Sequence, residues 1–451
     1  MPSDSPKPVP LAGWGRYPRS QAVALRPERM GELRLPVGQV IARGQGRSYG
    51  DAALNAGRTV VLTERLNRMV SFDAATGVLR AEAGVTLGDI LTTFVPRGWF
   101  LPVTPGTKYV SLGGAVACDV HGKNHHKEGG FGEYTRELLM MLADGSTVTC
   151  SPDRDPELFW ATVGGMGLTG VILEVTVRLN PIRSAQIRAS NHPVHNLQEA
   201  LRLMSDPATD DDYSVCWLDT TRTGRSMGKG VLIVGHHAPQ HPAPSTQHPP
   251  SPLPPHRRDA PRIPVLAPVP LLNRPAVRAF NIWYDAMNKA KGDYLCHYDP
   301  FFYPLDFVGG WNLLYGPGGL LQYQIVVPDR DAEAVLRDVL ARLQRAGMVS
   351  FLTVLKRMGP EGRGYLSFPK EGWTLTLDMP IGKNKSLFAA LDDVDRELVK
   401  IGGRVYLAKD SRLKPEAFAA MYPRLDAFRA VKRRVDPEGV FTSDLSRRLA
   451  I

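Results

Sequence analysis

The stretch that most constrains the fold of this 451-residue chain is a run of small residues from Leu101 to Gly122. Pro105-Gly106 favours a turn, and residues 113–115 read Gly-Gly-Ala and carry almost no side chain. Backbone N–H groups in such a segment can come within hydrogen-bonding distance of an anion such as a pyrophosphate. The same residues suit a buried helix packed closely on its neighbour, and both interpretations stay open on this stretch alone.

Two further glycine clusters favour a bound ligand. Residues 43–50 read Arg-Gly-Gln-Gly-Arg-Ser-Tyr-Gly, and residues 164–170 read Gly-Gly-Met-Gly-Leu-Thr-Gly. The second cluster contains the pattern G-x-G-x-x-G, but a dinucleotide fingerprint needs a strand before it and a helix after it. Here residues 156–162 predict a helix before the glycines, and the apolar–polar alternation of residues 171–179 predicts a strand after them. This context argues against a Rossmann fold.

Composition describes an ordinary globular protein with a basic surface. The hydrophobic content is 43%, the charged content is 22% and the formal net charge is +10. The length favours two or three domains, and we expect two. The positive charge favours an anionic partner, such as a phosphorylated substrate or an acidic membrane surface, although a solvated basic surface would look the same. No basic block interleaves with aromatic residues, so we expect no nucleic-acid partner.

Cysteine spacing and the N-terminus bear on location. Cys118, Cys150, Cys216 and Cys296 show no C-x-x-C spacing, which predicts neither a metal site nor a disulfide framework and fits a reducing compartment. The N-terminus has no apolar signal core, and no window approaches the roughly 20 apolar residues of a spanning helix. We therefore expect a cytoplasmic protein, with peripheral contact to the inner membrane face as a further expectation.

The C-terminal third predicts a split βαβ, ferredoxin-like order, β-α-β-β-α-β. The predicted strands are 320–327, 350–358, 373–379 and 404–408, and the predicted helices are 331–346 and 386–401. Both helices should cover one face of an antiparallel sheet. The other face is then polar, because it receives Gln322, Gln324, Thr374 and Thr376, and Lys356 can extend over it. We interpret this face as a substrate-binding surface; simple exposure to water is the alternative.

Residues 236–275 are dense in proline and histidine. Prolines remove backbone donors and exclude a helix or a central strand, so the segment predicts a mobile surface loop. Its histidines are interpreted as solvated and disordered rather than as metal ligands. They are His236, His237, His241, His248 and His256.

Four longer motifs carry a family resemblance. They are Gly-Arg-Ser-Tyr-Gly-Asp at 46–51, Ala-Cys-Asp-Val-His-Gly-Lys-Asn-His-His at 117–126, Phe-Trp-Ala-Thr-Val-Gly-Gly at 159–165 and Leu-Gln-Tyr-Gln at 321–324. In this order they resemble the vanillyl-alcohol-oxidase-type (PCMH-type) FAD oxidoreductases, and among them the decaprenylphosphoryl-ribose oxidase family. The resemblance runs from about Trp14 to the C-terminus and is weakest between about 183 and 290.

The resemblance implies an α+β fold with a discontinuous domain arrangement. A PCMH-type FAD-binding domain would occupy residues 1–182, and a substrate-binding domain with the antiparallel sheet would occupy residues 183–410. Residues 411–451 would return to the FAD domain.

The resemblance also implies the site residues. The predicted contacts to the FAD diphosphate and ribityl chain are Ala42, Arg43, Gly44, Gln45, Gly46, Arg47, Ser48, Tyr49, Gly50, Asp51, Ala52, Gly106, Ser111, Leu112, Gly113, Gly114, Cys118, Asp119, Val120, His121 and Ile172. Tyr49, Lys123, Tyr406 and Lys409 would lie near the isoalloxazine ring, and Gln322, Gln324 and Lys356 would contact the sugar and its phosphate. Several members of the superfamily tether FAD through a histidine at the position of His121, but relatives with the pattern seen here do not. We therefore expect noncovalent FAD.

The implied reaction oxidises the 2-hydroxyl of a polyprenyl-phosphoryl pentose by hydride transfer to flavin N5. A separate NAD(P)H-dependent short-chain reductase would complete an epimerisation to arabinose, for arabinan and cell-wall biosynthesis. The proton acceptor stays open between Lys409, Lys356 and a water. Mycobacterial relatives carry Asn and Cys where this chain has Thr374 and Thr376, which leaves the exact glycolipid open. A soluble alditol or sugar oxidase and a noncatalytic flavin- or lipid-phosphate-binding protein are the alternatives.

Overall fold

Four sheets and a set of short helices make up the part of the chain that the computed structural model describes, residues 7–239, 261–289, 291–382 and 386–451. The strands are β1 (Val9–Ala12), β2 (Arg19–Leu25), β3 (Val40–Arg43), β4 (Thr59–Leu62), β5 (Met69–Asp73), β6 (Val78–Glu82), β7 (Trp99–Phe100), β8 (Thr135–Met141), β9 (Thr147–Cys150), β10 (Val171–Arg178), β11 (Asn180–Pro181), β12 (Gln186–Val194), β13 (Tyr213–Leu218), β14 (Gly230–His237), β15 (Asp293–His297), β16 (Leu320–Val327), β17 (Thr353–Met358), β18 (Gly372–Pro380) and β19 (Arg404–Val405).

The α-helices are mostly short, and together with the sheets they confirm the predicted α+β class. They are α1 (Leu87–Phe94), α2 (Leu112–Ala117), α3 (His125–Glu128), α4 (Pro156–Thr162), α5 (Leu197–Met204), α6 (Arg274–Lys289), α7 (Tyr298–Phe302), α8 (Ala332–Arg345), α9 (Ser386–Ile401), α10 (Pro415–Met421), α11 (Leu425–Val435) and α12 (Asp444–Leu449). Short 3-10 helices lie at Met30–Glu32, Val95–Arg97, Phe131–Tyr134, Pro207–Thr209, Gly224–Ser226, Trp311–Tyr315 and Asp329–Asp331.

Three smaller sheets precede the large one. Strands β1-β2-β4-β3 form the first, with β4 parallel to both β2 and β3. Strands β5-β6-β10-β8-β9 form an antiparallel second sheet, and β7 pairs with β11. The alternation of residues 171–179 is realised as β10, which follows α4 as the sequence predicts. A bulge between Ile172 and Glu174 lets the Leu173 carbonyl accept from the Ala83 N–H at 2.8 Å.

The large sheet has eight described strands in the order β15-β12-β14-β13-β17-β18-β16-β19. Its second half, β16-α8-β17-β18-α9-β19, has the predicted split βαβ order. Strand β17 begins at Thr353 rather than at residue 350, and β19 ends at Val405 rather than at residue 408. The strand stops early because the chain turns, with the Lys409 N–H donating to the Tyr406 carbonyl at 3.0 Å.

The first half of the large sheet repeats this arrangement. Its elements follow the order β12-α5-β13-β14-α6-β15, and its strands take the same spatial order as those of the second half. The two units join edge to edge, where β13 pairs antiparallel with β17. The sequence analysis missed this first unit because a long segment, residues 238–273, separates β14 from α6 in the sequence.

The predicted loop at 236–275 is wrong at both ends. His236 and His237 belong to β14, and α6 begins at Arg274. The His237 Nδ1 lies 3.1 Å from the Ser184 carbonyl oxygen, and burial lowers the pKa of His237 to about 4. Neither of these two histidines is a disordered, solvated side chain. His241, His248 and His256 lie outside the described residues.

The C-terminal segment after residue 410 contacts the N-terminal part of the chain. Phe441 bridges to Val40 of β3, and the Arg448 guanidinium forms ion pairs with Asp51 and Asp410. These contacts support the predicted return of residues 411–451, although the two boundaries between the predicted segments remain predictions. No helix in the described part of the chain is long and apolar enough to cross a membrane.

Candidate functional site

The loop that follows β3 presents a row of unpaired backbone donors. In the described structure the N–H groups of Gly44 to Ser48 have no protein acceptor. A Cβ atom at Gly44 would lie 2.0 Å from Ser111 Oγ, and Gly46 has φ +61°. Only glycine fits both positions without strain, because one lacks space and the other has left-handed backbone. Consecutive free amides of this kind form an anion-binding concavity.

The start of α2 forms the other side of this concavity. Its small residues serve both purposes considered for the run from Leu101 to Gly122, close packing of a buried helix and binding of an anion. The Gly113 N–H donates to the Ala83 carbonyl at 2.8 Å, and a Cβ at Gly113 would lie 2.7 Å from the Ala83 Cβ, so this glycine serves close packing. The Gly114 N–H has no acceptor among the described residues, and Ser111 lies between Gly114 and Gly44. This arrangement of orphaned amides and missing side chains fits the diphosphate of FAD.

His121 lies where the glycine-rich part meets the polar face of the large sheet. Its Nε2 atom is 2.8 Å from Gln324 Nε2, so the amide donates and the imidazole proton sits on Nδ1. Burial, reinforced by Lys356, lowers the pKa of His121 well below its usual value and keeps the ring neutral. The Nδ1 atom is buried and has no partner in the described residues. The Nδ1–H group is therefore a buried donor that a bound ligand could accept from.

Tyr406 lies next to His121 in the site. Its hydroxyl donates to the Cys118 carbonyl at 2.8 Å, and its ring stacks on Phe368 with centroids 4.7 Å apart. The His121 ring lies 5.3 Å from that of Tyr406. Phe368 is a buried aromatic that the sequence analysis did not select. The Phe368 and Tyr406 rings therefore form a mostly apolar surface beside the histidine.

Strand register confirms the predicted polar face. Gln322 pairs with Asp378, Gln324 with Thr376, and Lys356 with Thr374, so all six side chains lie on one side of the sheet. The opposite side packs on the helices, as shown by the 2.7 Å hydrogen bond from the Tyr323 hydroxyl to Asp395 of α9. The polar face is buried rather than exposed to water, because it lies against His121.

Asp378 is a candidate site residue that sequence reasoning missed. It is fully buried, Gln322 Nε2 donates to its Oδ1, and its Oδ2 has no partner among the described residues. Burial raises the pKa of this carboxyl to about 7, against the opposing effects of Gln322 and Lys409. The period-two spacing after Thr374 and Thr376 could have identified it, since the residue two positions on shares their face.

Three lysines line the same region. The Lys409 ammonium lies 4.1 Å from the centroid of the Tyr49 ring, and burial lowers its pKa to about 8. Burial and the neighbouring Lys409 lower the pKa of Lys356 to about 8 as well. Lys123 donates to the Phe301 carbonyl and lies 4.3 Å from the centre of that ring, and burial followed by Lys356 lowers its pKa to about 7. Three partly buried amino groups with lowered pKa values favour an anionic ligand, which would stabilise their charged forms.

Comparison with known proteins identifies the family. A family model described as an FAD binding domain matches residues 37–151, and one described as D-arabinono-1,4-lactone oxidase matches residues 322–449. The decaprenylphosphoryl-beta-D-ribose oxidase of Mycolicibacterium smegmatis is 39% identical over 421 residues, which cover 91% of this chain and 89% of that protein. This chain belongs to the decaprenylphosphoryl-ribose oxidase family of FAD oxidoreductases. It is an FAD-dependent enzyme acting on CH–OH groups, and its fold is of the PCMH type.

Other relatives show how far the family extends. An uncharacterized protein of Streptomyces coelicolor is 35% identical over 378 residues, covering 81% of this chain and all of that protein. The human Delta(24)-sterol reductase is 28% identical over 130 residues, covering 29% of this chain and 25% of that protein. The match to the M. smegmatis oxidase spans 421 residues and so includes most of the large sheet. The match to the sterol reductase spans only 130 residues, which is too short to cover that sheet.

Some predicted FAD contacts have side chains that hold the protein together. Arg43 donates to the Ala12 carbonyl at 2.7 Å. Asp51 binds the Arg448 guanidinium at 2.8 and 2.9 Å. Asp119 accepts from Ser367 Oγ at 2.6 Å and from the Gly132 N–H at 2.9 Å. The side chains of these three residues have partners within the protein, and their contacts to the cofactor remain predictions.

The remaining predicted residues of this FAD oxidoreductase lie around the same loops. Arg47 stacks over Trp14 at 4.2 Å, and Ser48 Oγ lies 4.0 Å from Cys118 Sγ. A Cβ at Gly50 would collide with the Asp410 carbonyl, whereas one at Gly106 would meet open space. The predicted roles of all these residues remain predictions, as do those of Ala42, Gln45, Ala52, Leu112, Val120 and Ile172.

Proposed function

We propose that this FAD oxidoreductase oxidises the 2-hydroxyl of a polyprenyl-phosphoryl pentose to the 2-keto form. The observation that carries the proposal is the polar sheet face, which presents Gln322, Gln324, Lys356 and the buried carboxyl of Asp378 on one side of the sheet. Lys409 acts on the charge of Asp378, and Lys123 and Lys409 each lie close enough to Lys356 to affect a lysine pKa. A phosphorylated sugar provides both the negative charge and the hydroxyl groups that such a face can bind. The name of the M. smegmatis relative supports this substrate class.

The site residues divide between phosphate and sugar. Lys356 and Lys123 are the cations for the phosphate, because neither has a carboxylate partner in the described residues. Gln322 and Gln324 offer amide groups to the sugar hydroxyls. Bound FAD supplies the hydride acceptor, and the orphaned amides of the Gly44 loop and of Gly114 hold its diphosphate. Tyr406 and Phe368 form the apolar wall beside the reacting carbon.

Asp378 is the group to which we assign the hydroxyl proton. Oxidation removes a hydride from C2 and a proton from the 2-hydroxyl oxygen, and the C2–O bond becomes a carbonyl. A carboxyl with a pKa of about 7 and one unpaired oxygen is suited to accept that proton near neutral pH. Lys409 then stabilises the negative charge that develops on the oxygen. Lys356 and Lys409, with pKa values of about 8, are mostly cations at neutral pH in this assignment.

The proposal includes the fate of the product. A 2-keto sugar phosphate that is reduced on the opposite face becomes the epimeric arabinose derivative, so a separate NAD(P)H-dependent short-chain reductase would consume it. The FAD is held without a covalent bond in this proposal. Acid precipitation of the purified protein should therefore leave all of the yellow colour in the supernatant.

The experiment is anaerobic mixing of the purified protein with polyprenyl-phosphoryl ribose, followed by the flavin absorbance. Bleaching by this lipid, and none by free alditols, is the expected result. The match of residues 322–449 to D-arabinono-1,4-lactone oxidase favours one second candidate, a soluble sugar oxidase. Bleaching by free sugars alone, with peroxide released on admission of oxygen, would favour that candidate and contradict the proposal.

A further inference from the structure

Helix α6 buries polar and apolar side chains together. Val277 is fully buried, and Phe280 and Tyr284 pack on aromatic rings of the protein. On the same side Asn281 donates to Asp219 at 2.6 Å, and Asn288 accepts from Asn191 at 3.2 Å. Asp285 forms ion pairs with Lys229 and Lys289. A surface helix of a water-soluble protein normally keeps its large apolar residues on the buried side.

The outward side of α6 is apolar. Ile282 is 53% exposed, Trp283 is 58% exposed and Met287 is 50% exposed. The small residues Ala279 and Ala286 lie at helical spacing between them and are also exposed. We call these five residues the α6 face. The preceding segment adds further exposed apolar side chains, namely Val265, Val269 and Leu271. Large apolar side chains exposed together on one side of a helix mark an interaction surface.

The charges beside the α6 face are positive. Arg274 and Arg278 are exposed, and neither has a carboxylate partner in the described part of the chain. The one acidic residue of the helix, Asp285, is neutralised by its two lysines. A bulky tryptophan and aliphatic side chains flanked by free arginines match the interface of a bilayer that contains anionic lipids.

The α6 face adjoins the candidate site. Tyr284 of α6 packs on Trp217 with ring centroids 4.7 Å apart, and strand register puts Trp217 in one row with Val354, Thr376 and Gln324. Helix α6 therefore covers the site-facing side of the large sheet. Other side chains link the two regions: Phe280 packs on Phe351 at 4.6 Å, and Phe351, Ile263 and Leu272 pack against the cluster that contains Tyr49.

We propose that the α6 face is a membrane-docking surface, which rests on anionic bilayers with Ile282, Trp283 and Met287 in the interfacial region. The inference deepens the proposed function. It rests on that function in one respect, namely that the substrate carries a polyprenyl chain, which would be held in a membrane. If the site opens beside the docked helix, the sugar phosphate can reach the polar sheet face while the polyprenyl chain of the substrate stays in the lipid. Attraction to anionic headgroups and burial of the three side chains drive the docking.

Vesicle flotation tests the proposal without any substrate. The FAD-loaded protein is mixed with phosphatidylcholine–phosphatidylglycerol vesicles and with pure phosphatidylcholine vesicles. We expect binding to the anionic vesicles, reduced at least about tenfold in the variant Ile282→Ser/Trp283→Ser/Met287→Ser. Neutralising Arg274→Gln and Arg278→Gln together should reduce binding roughly tenfold at low salt. Val70→Ser is the matched control, because Val70 is 47% exposed on β5 of another sheet, and it should bind as wild type does.

Three outcomes would overturn the inference. The wild-type protein could fail to float, or the triple variant could float equally well. The wild type could instead be a dimer in light scattering and the triple variant a monomer, which would assign the α6 face to a second copy. Unchanged FAD content and melting temperature show that the variants fold. Failure of the substrate test with vesicle binding intact would refute only the proposed function; bleaching by detergent-dispersed substrate without vesicle binding would refute only the docking surface.

Discussion

At the scale of single residues, Asp378 shows how burial changes the pKa of a carboxyl. The strand alternation around Thr374 and Thr376 predicts a polar face, but the pKa of the carboxyl is raised to about 7 only because that face is buried in the folded protein. Sequence can indicate which face a residue occupies, whereas the pKa depends on what covers that face. The same holds for His121, whose ring is neutral because it is enclosed near Lys356 and His125.

The variant Asp378→Asn should keep FAD and lower the turnover number by about 10²–10⁴-fold, because the hydroxyl proton loses its acceptor. In the wild type the ionised carboxylate is the active form, so activity should fall as pH drops below about 7. That acidic limb should disappear in the variant. The pH dependence of flavin reduction measures both effects, and Asp338→Asn on the exposed side of α8 is the control. An unchanged acidic limb would contradict the assignment.

The variant Lys356→Met should weaken binding of the phosphorylated substrate by roughly 10- to 100-fold, since one charge-assisted contact to the phosphate is lost. The maximal rate of flavin reduction should change little. Because the pKa of Lys356 is about 8, the charged form and the affinity should decline as pH rises above that value. Substrate titration at several pH values checks this split. A fall in the maximal rate at unchanged affinity would assign Lys356 a different role.

At the scale of elements, the sequence predicts best where periodicity is undisturbed. Strand β16 and helix α9 have the predicted bounds, and the second split βαβ unit has the predicted order. The first unit has the same order, but the Pro- and His-rich excursion after β14 separates its last helix and strand from the rest. Helix α6 also leaves Ile282, Trp283 and Met287 exposed, which the usual pattern of helix burial does not predict.

The variant Gly44→Ala tests the role of the loop after β3. A methyl group there would lie 2.0 Å from Ser111 Oγ and would push apart the two segments that carry the orphaned amides. We expect the purified variant to lose most of its FAD while its secondary structure is retained. FAD released by acid and measured by absorbance gives the occupancy. Gly31→Ala is the control, because that position has open space and should retain full occupancy.

At the scale of the whole molecule, the site exists only where distant parts of the chain meet. The amides come from residues 44–48 and 114, the histidine comes from residue 121, and the polar face comes from β16, β17 and β18. The C-terminal segment contacts the N-terminal part of the chain through Arg448, which pairs with Asp51, and through Phe441, which bridges to Val40. The motifs indicate which segments take part, but the distances between them and the burial of Asp378 beside the partly buried lysines follow only from the assembled fold.

The measurement that tests the central claim most directly compares two forms of polyprenyl-phosphoryl ribose, one with deuterium at C2 and one with deuterium at C3. Each is mixed anaerobically with the FAD-loaded protein, and the rate of flavin bleaching is recorded. If the 2-hydroxyl is oxidised on the polar sheet face, the C2–H bond breaks in this step. Bleaching should then be slower with deuterium at C2 and unaffected by deuterium at C3. Slowing by deuterium at C3 instead, or no bleaching by either lipid, would contradict the account.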